Sequence, residues 1–178
     1  MTEYPPEFCP YCGSELDASG APRYRCPGCE RSVYHSPSIA ASVAVVDETT
    51  GELLLGERGT PPSQGRLTMP AGHVDLWEEP ATAAARELEE ETGLAVDPEA
   101  LILLGVRDLD AEVDETGITE EKQVICADYA VSFARTSGEP AAADDLDTVQ
   151  WVAPAEFETL PWAYTGDPAV CRAAIDQV

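Results

Sequence analysis

Residues Gly72–Leu94 have the sequence GHVDLWEEPATAAARELEEETGL, which predicts the helix around which the fold is built. Pro80 suits the first turn of a helix, and Gly93 suits the position just past its end. Between them, apolar residues recur at helical spacing, at Ala81, Ala84, Ala85 and Leu88. We therefore predict a helix over Pro80–Thr92, and its small alanines let it lie close to a sheet.

Strand patterns lie on both sides of this helix. Before it, Ser38–Asp47 and Glu52–Arg58 are predicted to form a hairpin, and Leu67–Val74 is a further segment broken by Pro70 and Gly72. After it, strands are predicted at Leu101–Asp108, Gln123–Ala134 and Thr148–Val152, a loop at Ser137–Asp145 and a terminal helix at Asp167–Val178. Mixed strands with a central and a terminal helix predict an α/β sandwich.

The N-terminal segment differs from the rest of the chain, because it is rich in Pro, Gly, Cys and Tyr and poor in aliphatic residues. It holds two C-x-x-C pairs separated by 13 residues, formed by Cys9, Cys12, Cys26 and Cys29. Two such turns supply the four soft ligands of tetrahedral Zn²⁺. So polar a segment needs a metal to fold. We predict a closed, structural zinc ribbon over residues 1–36 and a second domain over residues 38–178.

The chain is strongly acidic, with 34 Asp and Glu against 10 Lys and Arg, for a net charge of −24. Its strand patterns argue against disorder, so we expect a folded protein whose acidic surface repels itself in dilute buffer. At molar salt the Debye length falls to ~3 Å and the repulsion is screened. We therefore predict a halophile's protein, and more narrowly a haloarchaeal one. The same charge disfavours a nucleic-acid partner, because the phosphate backbone needs a basic stripe.

The cellular compartment is predicted from the cysteines and the N-terminus. The C-x-x-C pairs are typical of a metal site in a reducing compartment. Met1–Pro10 is acidic and contains prolines, unlike a signal peptide. Because no apolar run is long enough to cross a membrane, we expect a cytoplasmic protein without a membrane partner.

Three glutamates of the predicted helix suggest a metal site. Glu87, Glu90 and Glu91 are three and four residues apart, so they project from one face. Carboxylates this close repel each other, and at least one pKa rises unless a cation pairs with them. Mg²⁺ suits such a cluster, because Mg²⁺ binds a few carboxylates together with substrate phosphates. Mn²⁺ is the expected substitute. An anionic diphosphate would then be bridged to this acidic protein by the metal, which also activates a water.

The same stretch satisfies G-x5-E-x7-R-E-U-x-E-E-x-G-U, in which U is aliphatic, from Gly72 through Glu78 and Arg86 to Gly93 and Leu94. This pattern is the Nudix box, and roughly Ser38–Val178 resembles the Nudix hydrolase family. The resemblance implies an α/β/α sandwich around a mixed sheet. It also implies hydrolysis of a diphosphate bond in a nucleotide-type small molecule, and, because many members are dimers, a homodimer as one option.

The resemblance also implies roles for single residues. Glu87 and Glu91 are expected as direct metal ligands, Glu90 as sharing a metal or assisting, and the backbone carbonyl of Ala71 as a further ligand. Structural roles are implied for Gly72 and Gly93, and for an ion pair of Glu78 with Arg86 that fixes the loop onto the helix. Arg58 is either a phosphate contact or a surface arginine. A general base or extra ligand is sought among Glu120, Glu121, Asp144, Asp145 and Asp147. Departures from common family preference at Ala71, Asp75 and Trp77 make the loop stiffer.

The substrate stays open. A zinc ribbon ahead of a Nudix domain is similar to the NADH pyrophosphatase subfamily, but the Ser-Gln-Pro-Trp-Pro-Phe-Pro signature of that subfamily is absent after Leu94. ADP-ribose-like and NAD-like diphosphates and nucleoside triphosphates are the candidates. Two rival functions are a non-catalytic Nudix-fold nucleotide-sugar sensor and a regulator that contacts nucleic acid through the zinc ribbon.

The halophile hypothesis predicts a salt-dependent melting temperature. Because the repulsion of a net charge of −24 is screened by salt, thermal unfolding followed by circular dichroism should occur at a clearly higher temperature in 3 M than in 0.1 M KCl. Equal melting temperatures in the two buffers would refute the hypothesis.

Overall fold

The computed structural model describes residues 6–17, 23–61, 63–109 and 123–178. Its N-terminal part contains a two-stranded antiparallel sheet of β1 (Arg23–Arg25) and β2 (Ser32–Tyr34). Tyr24 and Val33 are paired across this sheet and are buried in a small core beside Cys9. The sequence does not predict these strands, because three residues are too few to display an alternating pattern.

The remaining described residues contain a seven-stranded sheet and two α-helices. Its strands are β3 (Ser38–Asp47), β4 (Glu52–Arg58), β5 (Leu67–Thr68), β6 (Ala71–His73), β7 (Ile102–Leu109), β8 (Val124–Ser132) and β9 (Leu146–Val152). The helices are α1 (Pro80–Thr92) and α2 (Asp167–Gln177), with 3-10 turns at Pro98–Ala100, Phe133–Arg135 and Pro154–Thr159. The predicted bounds of β3, β4 and α1 agree with the structure, and those of α2 and the later strands shift by one or two residues. No helix among the described residues is long and apolar enough to span a membrane.

The sheet is mixed, in the order β5-β4-β3-β8-β7, with β6 paired to β3 and β9 paired to β4. Strands β3 and β8 run parallel, from Ser38 beside Val124 to Val46 beside Ser132, and the other pairs are antiparallel. One face of the sheet packs on α1 and the other on α2, because successive β3 side chains alternate between the two apolar cores. The predicted α/β/α sandwich is confirmed.

Helix α1 packs on the sheet through small residues. Ala83, Ala84 and Leu88 are fully buried against β3, whereas the predicted face placed Ala81 there. Ala81 is half-buried at the edge of the core, because α1 is rotated on the sheet relative to the predicted face. Gly93 ends the helix with a φ of 71° and donates its N–H to the Glu89 carbonyl over 2.9 Å.

A polar network that the sequence does not predict joins the sheet to α2. Arg107 of β7 donates to Asp128 of β8 over 2.8 Å and to Asp167, the first residue of α2, over 2.7 Å. Ser42 and Thr68 donate their hydroxyls to the same two carboxylates over 2.7 and 3.2 Å. Both aspartates are buried, so removing the arginine alone would cost about 3–5 kcal/mol. The network fixes the edge strand and the start of α2 relative to each other.

Candidate active site

One arginine connects the loop before α1 to the predicted metal ligands. Arg86 donates through Nε and Nη2 to the two carboxylate oxygens of Glu78, each over 3.0 Å. Its Nη1 donates to Glu87 over 2.7 Å and to Glu90 over 2.9 Å, and Nη2 also reaches the His73 carbonyl over 3.0 Å. These hydrogen bonds hold the pKa of Glu78 below its ordinary value. Arg86 therefore fixes both ends of the loop and orients two of the three box carboxylates.

Glu91 is the buried member of the carboxylate cluster, with 3% of its surface exposed. Its carboxylate accepts the backbone N–H of Ala71 over 2.9 Å. Burial raises its pKa from the ordinary 4.5 to about 8, and the negative charge of Glu87 adds to the rise. Arg58, the last residue of β4, lies close enough for its positive charge to lower the pKa of Glu91 and so oppose part of this rise. The site thus holds a carboxyl group that prefers a proton or a cation at neutral pH.

The space for Glu87 is made by Gly72, which lies on β6 opposite Ala41 of β3. A Cβ atom at residue 72 would overlap the Glu87 carboxylate. Burial, opposed by the Arg86 hydrogen bond, also raises the pKa of Glu87 above its ordinary value. Next to Gly72, the N–H of Ala71 points to Glu91. Because the N–H and carbonyl of one residue in an extended strand lie on the same edge, the Ala71 carbonyl is on the side of this cluster.

The loop after β8 closes the site at the C-terminal end of α1. Ala143 and Ala141 donate their N–H groups to the carbonyls of Glu91 and Thr92, each over 2.9 Å, and so pair acceptors that a helix end leaves unsatisfied. This docking brings Asp144 within electrostatic range of Glu87, and Asp145 within range of Glu91.

The other predicted acidic residues are placed differently. The Asp147 carboxylate lies against Gly59: a Cβ atom at residue 59 would be 2.6 Å from Oδ1 of Asp147. Glu120 and Glu121 lie outside the described residues. The structure therefore places Asp144 and Asp145 within electrostatic range of the box glutamates, and Asp147 beside the residue that follows Arg58.

The four cysteines of the N-terminal part come together in space. Their sulfur atoms all lie within 4.8 Å of one another. The Cys9–Cys29 and Cys12–Cys26 sulfurs are 3.7 and 3.5 Å apart, and four Zn–S bonds of ~2.3 Å in a tetrahedron require about 3.8 Å. Hydrogen bonding with the side chain and backbone of Ser14 lowers the pKa of the Cys12 thiol to about 6, which favours the thiolate that binds metal. The donor set and its spacing fit a zinc ion.

The two knuckles repeat one backbone turn. Gly13 donates its N–H to the Cys9 carbonyl, and Glu30 donates to the Cys26 carbonyl, each over 2.9 Å and each with a left-handed φ, of 72° and 59°. Gly28 has no such φ, and its role is spatial, because a Cβ atom there would overlap the Ser14 hydroxyl.

The comparison with protein families agrees with this geometry. The model of the NUDIX domain matches residues 37–172. The chain belongs to the Nudix hydrolase family. Among curated proteins, the NAD-capped RNA hydrolase NudC of Stutzerimonas stutzeri (strain A1501) is 35% identical over 92 residues, which are 51% of this chain and 32% of that protein. The Nudix chain is thus aligned with about a third of the length of this relative.

Solved structures of Nudix proteins have the same fold. A MutT NUDIX hydrolase from Burkholderia pseudomallei is 28% identical, with a TM-score of 0.60 over 80% of this chain and 98% of its own. A bifunctional NMN adenylyltransferase/ADP ribose pyrophosphatase from Francisella tularensis, complexed with AMP and a manganese ion, is 18% identical, with a TM-score of 0.60 over 80% of this chain and 42% of its own. At 18% identity the second likeness shows the fold alone.

The raised pKa of Glu91 predicts a pH-dependent stability for the metal-free protein. Between the ordinary pKa of 4.5 and about 8, the folded chain binds more protons than the unfolded chain, so stability falls as pH rises through this window. Glu91→Gln removes this contribution. Free energies of unfolding from urea titrations in EDTA, between pH 5 and 9, should therefore fall less steeply for Glu91→Gln than for the parent.

A matched control is Glu89→Gln, because Glu89 is an exposed residue of the same helix. Its pH profile should follow that of the parent. Parallel profiles for the parent and Glu91→Gln would contradict the prediction.

Proposed function

We propose that the chain hydrolyses a diphosphate bond in a nucleoside diphosphate derivative, with Mg²⁺ or Mn²⁺ held by Glu87, Glu90 and Glu91. The observation that carries the proposal is the pair of carboxylates at β6: Gly72 leaves room for Glu87, and the Ala71 N–H binds Glu91, which is buried and has its pKa raised to about 8. A divalent cation supplies the positive charge that such a cluster lacks. Membership of the Nudix family supports hydrolase chemistry.

In this proposal Glu87 and Glu91 bind the metal directly, and the Ala71 carbonyl is a further ligand. Glu90 shares a metal with them or assists its binding. When bound, a divalent cation neutralises diphosphate oxygens and acidifies the attacking water. Arg86 keeps Glu87 and Glu90 in place through its Nη1, and its ion pair with Glu78 is the structural brace of the site.

Other residues of the chain are proposed to bind the substrate and to accept the proton of the attacking water. Arg58 lies near Glu91 and is proposed to contact a phosphate, where its positive charge offsets the negative charge of the diphosphate. Asp144 or Asp145 is proposed as the general base, because each lies in electrostatic range of a box glutamate, and a carboxylate can accept a proton from water.

The proposed substrates are small molecules in which a diphosphate joins a nucleoside to a second group. The curated relative is named for NAD-capped RNA, which favours NAD-like compounds over nucleoside triphosphates. ADP-ribose-like compounds, which share the nucleoside diphosphate, are the second candidates. A long RNA is disfavoured, because a net charge of −24 repels a polyanion.

The second part of the proposal concerns the cysteines. Cys9, Cys12, Cys26 and Cys29 are proposed to bind one structural Zn²⁺, which the sulfur spacing of 3.5–3.7 Å supports. Because four protein ligands leave no open position, this zinc takes no part in hydrolysis. The division into a zinc ribbon over residues 1–36 and a hydrolase domain over residues 38–178 belongs to this proposal.

A substrate panel tests the hydrolase. Incubation of the protein with Mg²⁺ and ADP-ribose, NADH, a nucleoside triphosphate or an NAD-capped RNA oligonucleotide should release AMP or another nucleotide product, measured by chromatography. Glu91→Gln should lower kcat by about 100-fold or more, since it removes a metal ligand. Gly72→Ala should lower kcat by about 10-fold or more without unfolding, since its Cβ displaces only the flexible end of Glu87.

The control for the panel is again Glu89→Gln, which should retain the activity of the parent. If no compound is cleaved and Glu91→Gln binds nucleotides as the parent does, the hydrolase proposal fails. A nucleotide sensor, or a zinc-ribbon regulator if only the RNA is bound, would then replace it.

The zinc proposal predicts one zinc per chain by elemental analysis. Cys26→Ala should lose the zinc, because three remaining thiolates bind it much less tightly. Cys171→Ala is the matched control, because Cys171 is buried in the core under α2 and should leave the zinc in place. Zinc retained at the parent level in Cys26→Ala would contradict the assignment.

A further inference from the structure

The tip of the loop before α1 exposes two large apolar side chains. Leu76 and Trp77 have 82% and 92% of their surfaces exposed, more than the other large apolar residues that the structure describes. An indole so exposed makes almost no contact within the chain. The fold therefore gains little from the tryptophan at this position.

The backbone at Trp77 is also unfavourable. The Glu78 N–H donates to the Asp75 carbonyl over 3.0 Å, which makes a four-residue turn with Leu76 and Trp77 at its centre. Trp77 has a φ of 72°, a left-handed value that at this turn position favours glycine or asparagine. Residues held in such conformations cluster at active sites and ligand-binding sites.

The turn is held rigidly beside the carboxylate cluster. Arg86 binds the His73 carbonyl at one end of the loop and the Glu78 carboxylate at the other. The same guanidinium contacts Glu87 over 2.7 Å. The tip lies between these two attached ends, so its position is tied to the groups proposed to bind the diphosphate.

We propose that Trp77 forms a stacking site for a nucleobase of the nucleotide bound at the carboxylates. This inference rests on the proposed function and names the part of the substrate that the tip recognises. A base can stack on an exposed indole without any charged contact. Such a contact suits a chain with 10 Lys and Arg among 178 residues.

The size of the tip favours a base over a protein. One tryptophan buries ~150–250 Å² when covered, whereas a stable protein interface buries on the order of 1,200–2,000 Å² in total. One indole therefore suffices for a planar ring, whereas a second copy of the chain would need a much larger surface.

The test compares AMP with ribose 5-phosphate, which lacks the base, by calorimetric titration in the presence of Mg²⁺. Trp77→Gly should bind AMP about tenfold more weakly, and Trp77→Phe should stay close to the parent, because a phenyl ring still stacks. Ribose 5-phosphate should bind all three proteins equally. Tyr34→Ala, which removes an exposed aromatic residue of β2, is the control and should leave AMP affinity unchanged.

Two further readouts separate stacking from a structural role. AMP should quench tryptophan fluorescence in the parent and much less in Trp77→Phe. Trp77→Gly should melt at a temperature equal to or about 2–4 °C above the parent, because glycine accepts the left-handed φ.

The inference is overturned if Trp77→Gly binds AMP as tightly as the parent. It is also overturned if ribose 5-phosphate is weakened equally, or if the substitution only dissociates a dimer. Hydrolysis of the substrate panel that is insensitive to Trp77 would refute stacking and leave the hydrolase intact. AMP binding that depends on Trp77 without hydrolysis would support stacking and refute the hydrolase.

Discussion

The guanidinium of Arg86 is the contact on which the site depends. It joins the end of β6, the loop and α1, because it binds the His73 carbonyl, the Glu78 carboxylate, and Glu87 and Glu90. A bidentate pair of this kind fixes direction as well as distance. The same positive charge reduces the repulsion between two carboxylates that otherwise face each other on the helix. Without Arg86, nothing in this network would hold the loop in a fixed position relative to Glu87 and Glu90.

The position of α1 depends on two further constraints. Alanines at its buried face let the helix axis approach the sheet, and Gly72 removes the Cβ atom that would occupy the space of the Glu87 carboxylate. At the other end, the loop after β8 donates N–H groups to the carbonyls of Glu91 and Thr92. These hydrogen bonds satisfy two carbonyls at the end of the helix. They also bring Asp144 and Asp145 within electrostatic range of the box glutamates.

Local signals were sufficient to predict much of the fold. Proline at the start and glycine at the end bound α1, and the long apolar run of β3 with the turn after Asp47 indicated the hairpin. The spacing of the cysteines predicted their cluster for the same reason, because each knuckle is one turn of the backbone. Long-range features were not predictable. The pairing of Arg107 with Asp128 and Asp167 joins residues 21 and 60 positions apart.

The candidate site divides in the same way. The three box glutamates and Arg86 lie on one helix, so their spacing alone predicted that they occupy neighbouring turns. The rotation of α1 that buries Ala83 in place of Ala81 depends on the position of the sheet. The helical pattern of the sequence holds no information on that position. The approach of Asp144 and Asp145 depends on the docking of a loop, and the left-handed φ of Trp77 on closure of the turn onto Glu78.

The distribution of charge explains why Glu91 differs from its neighbours. Glu87 and Glu90 share the Nη1 of Arg86, whereas Glu91 accepts a hydrogen bond from the uncharged N–H of Ala71. An amide dipole compensates a buried negative charge less than a guanidinium does, so burial dominates and the pKa rises to about 8. The proposed divalent cation would therefore gain most at Glu91, because Arg86 already offsets part of the charge of the other two carboxylates. The arginine thus organises Glu87 and Glu90 and leaves Glu91, at the buried side, as the carboxylate for which a cation is proposed.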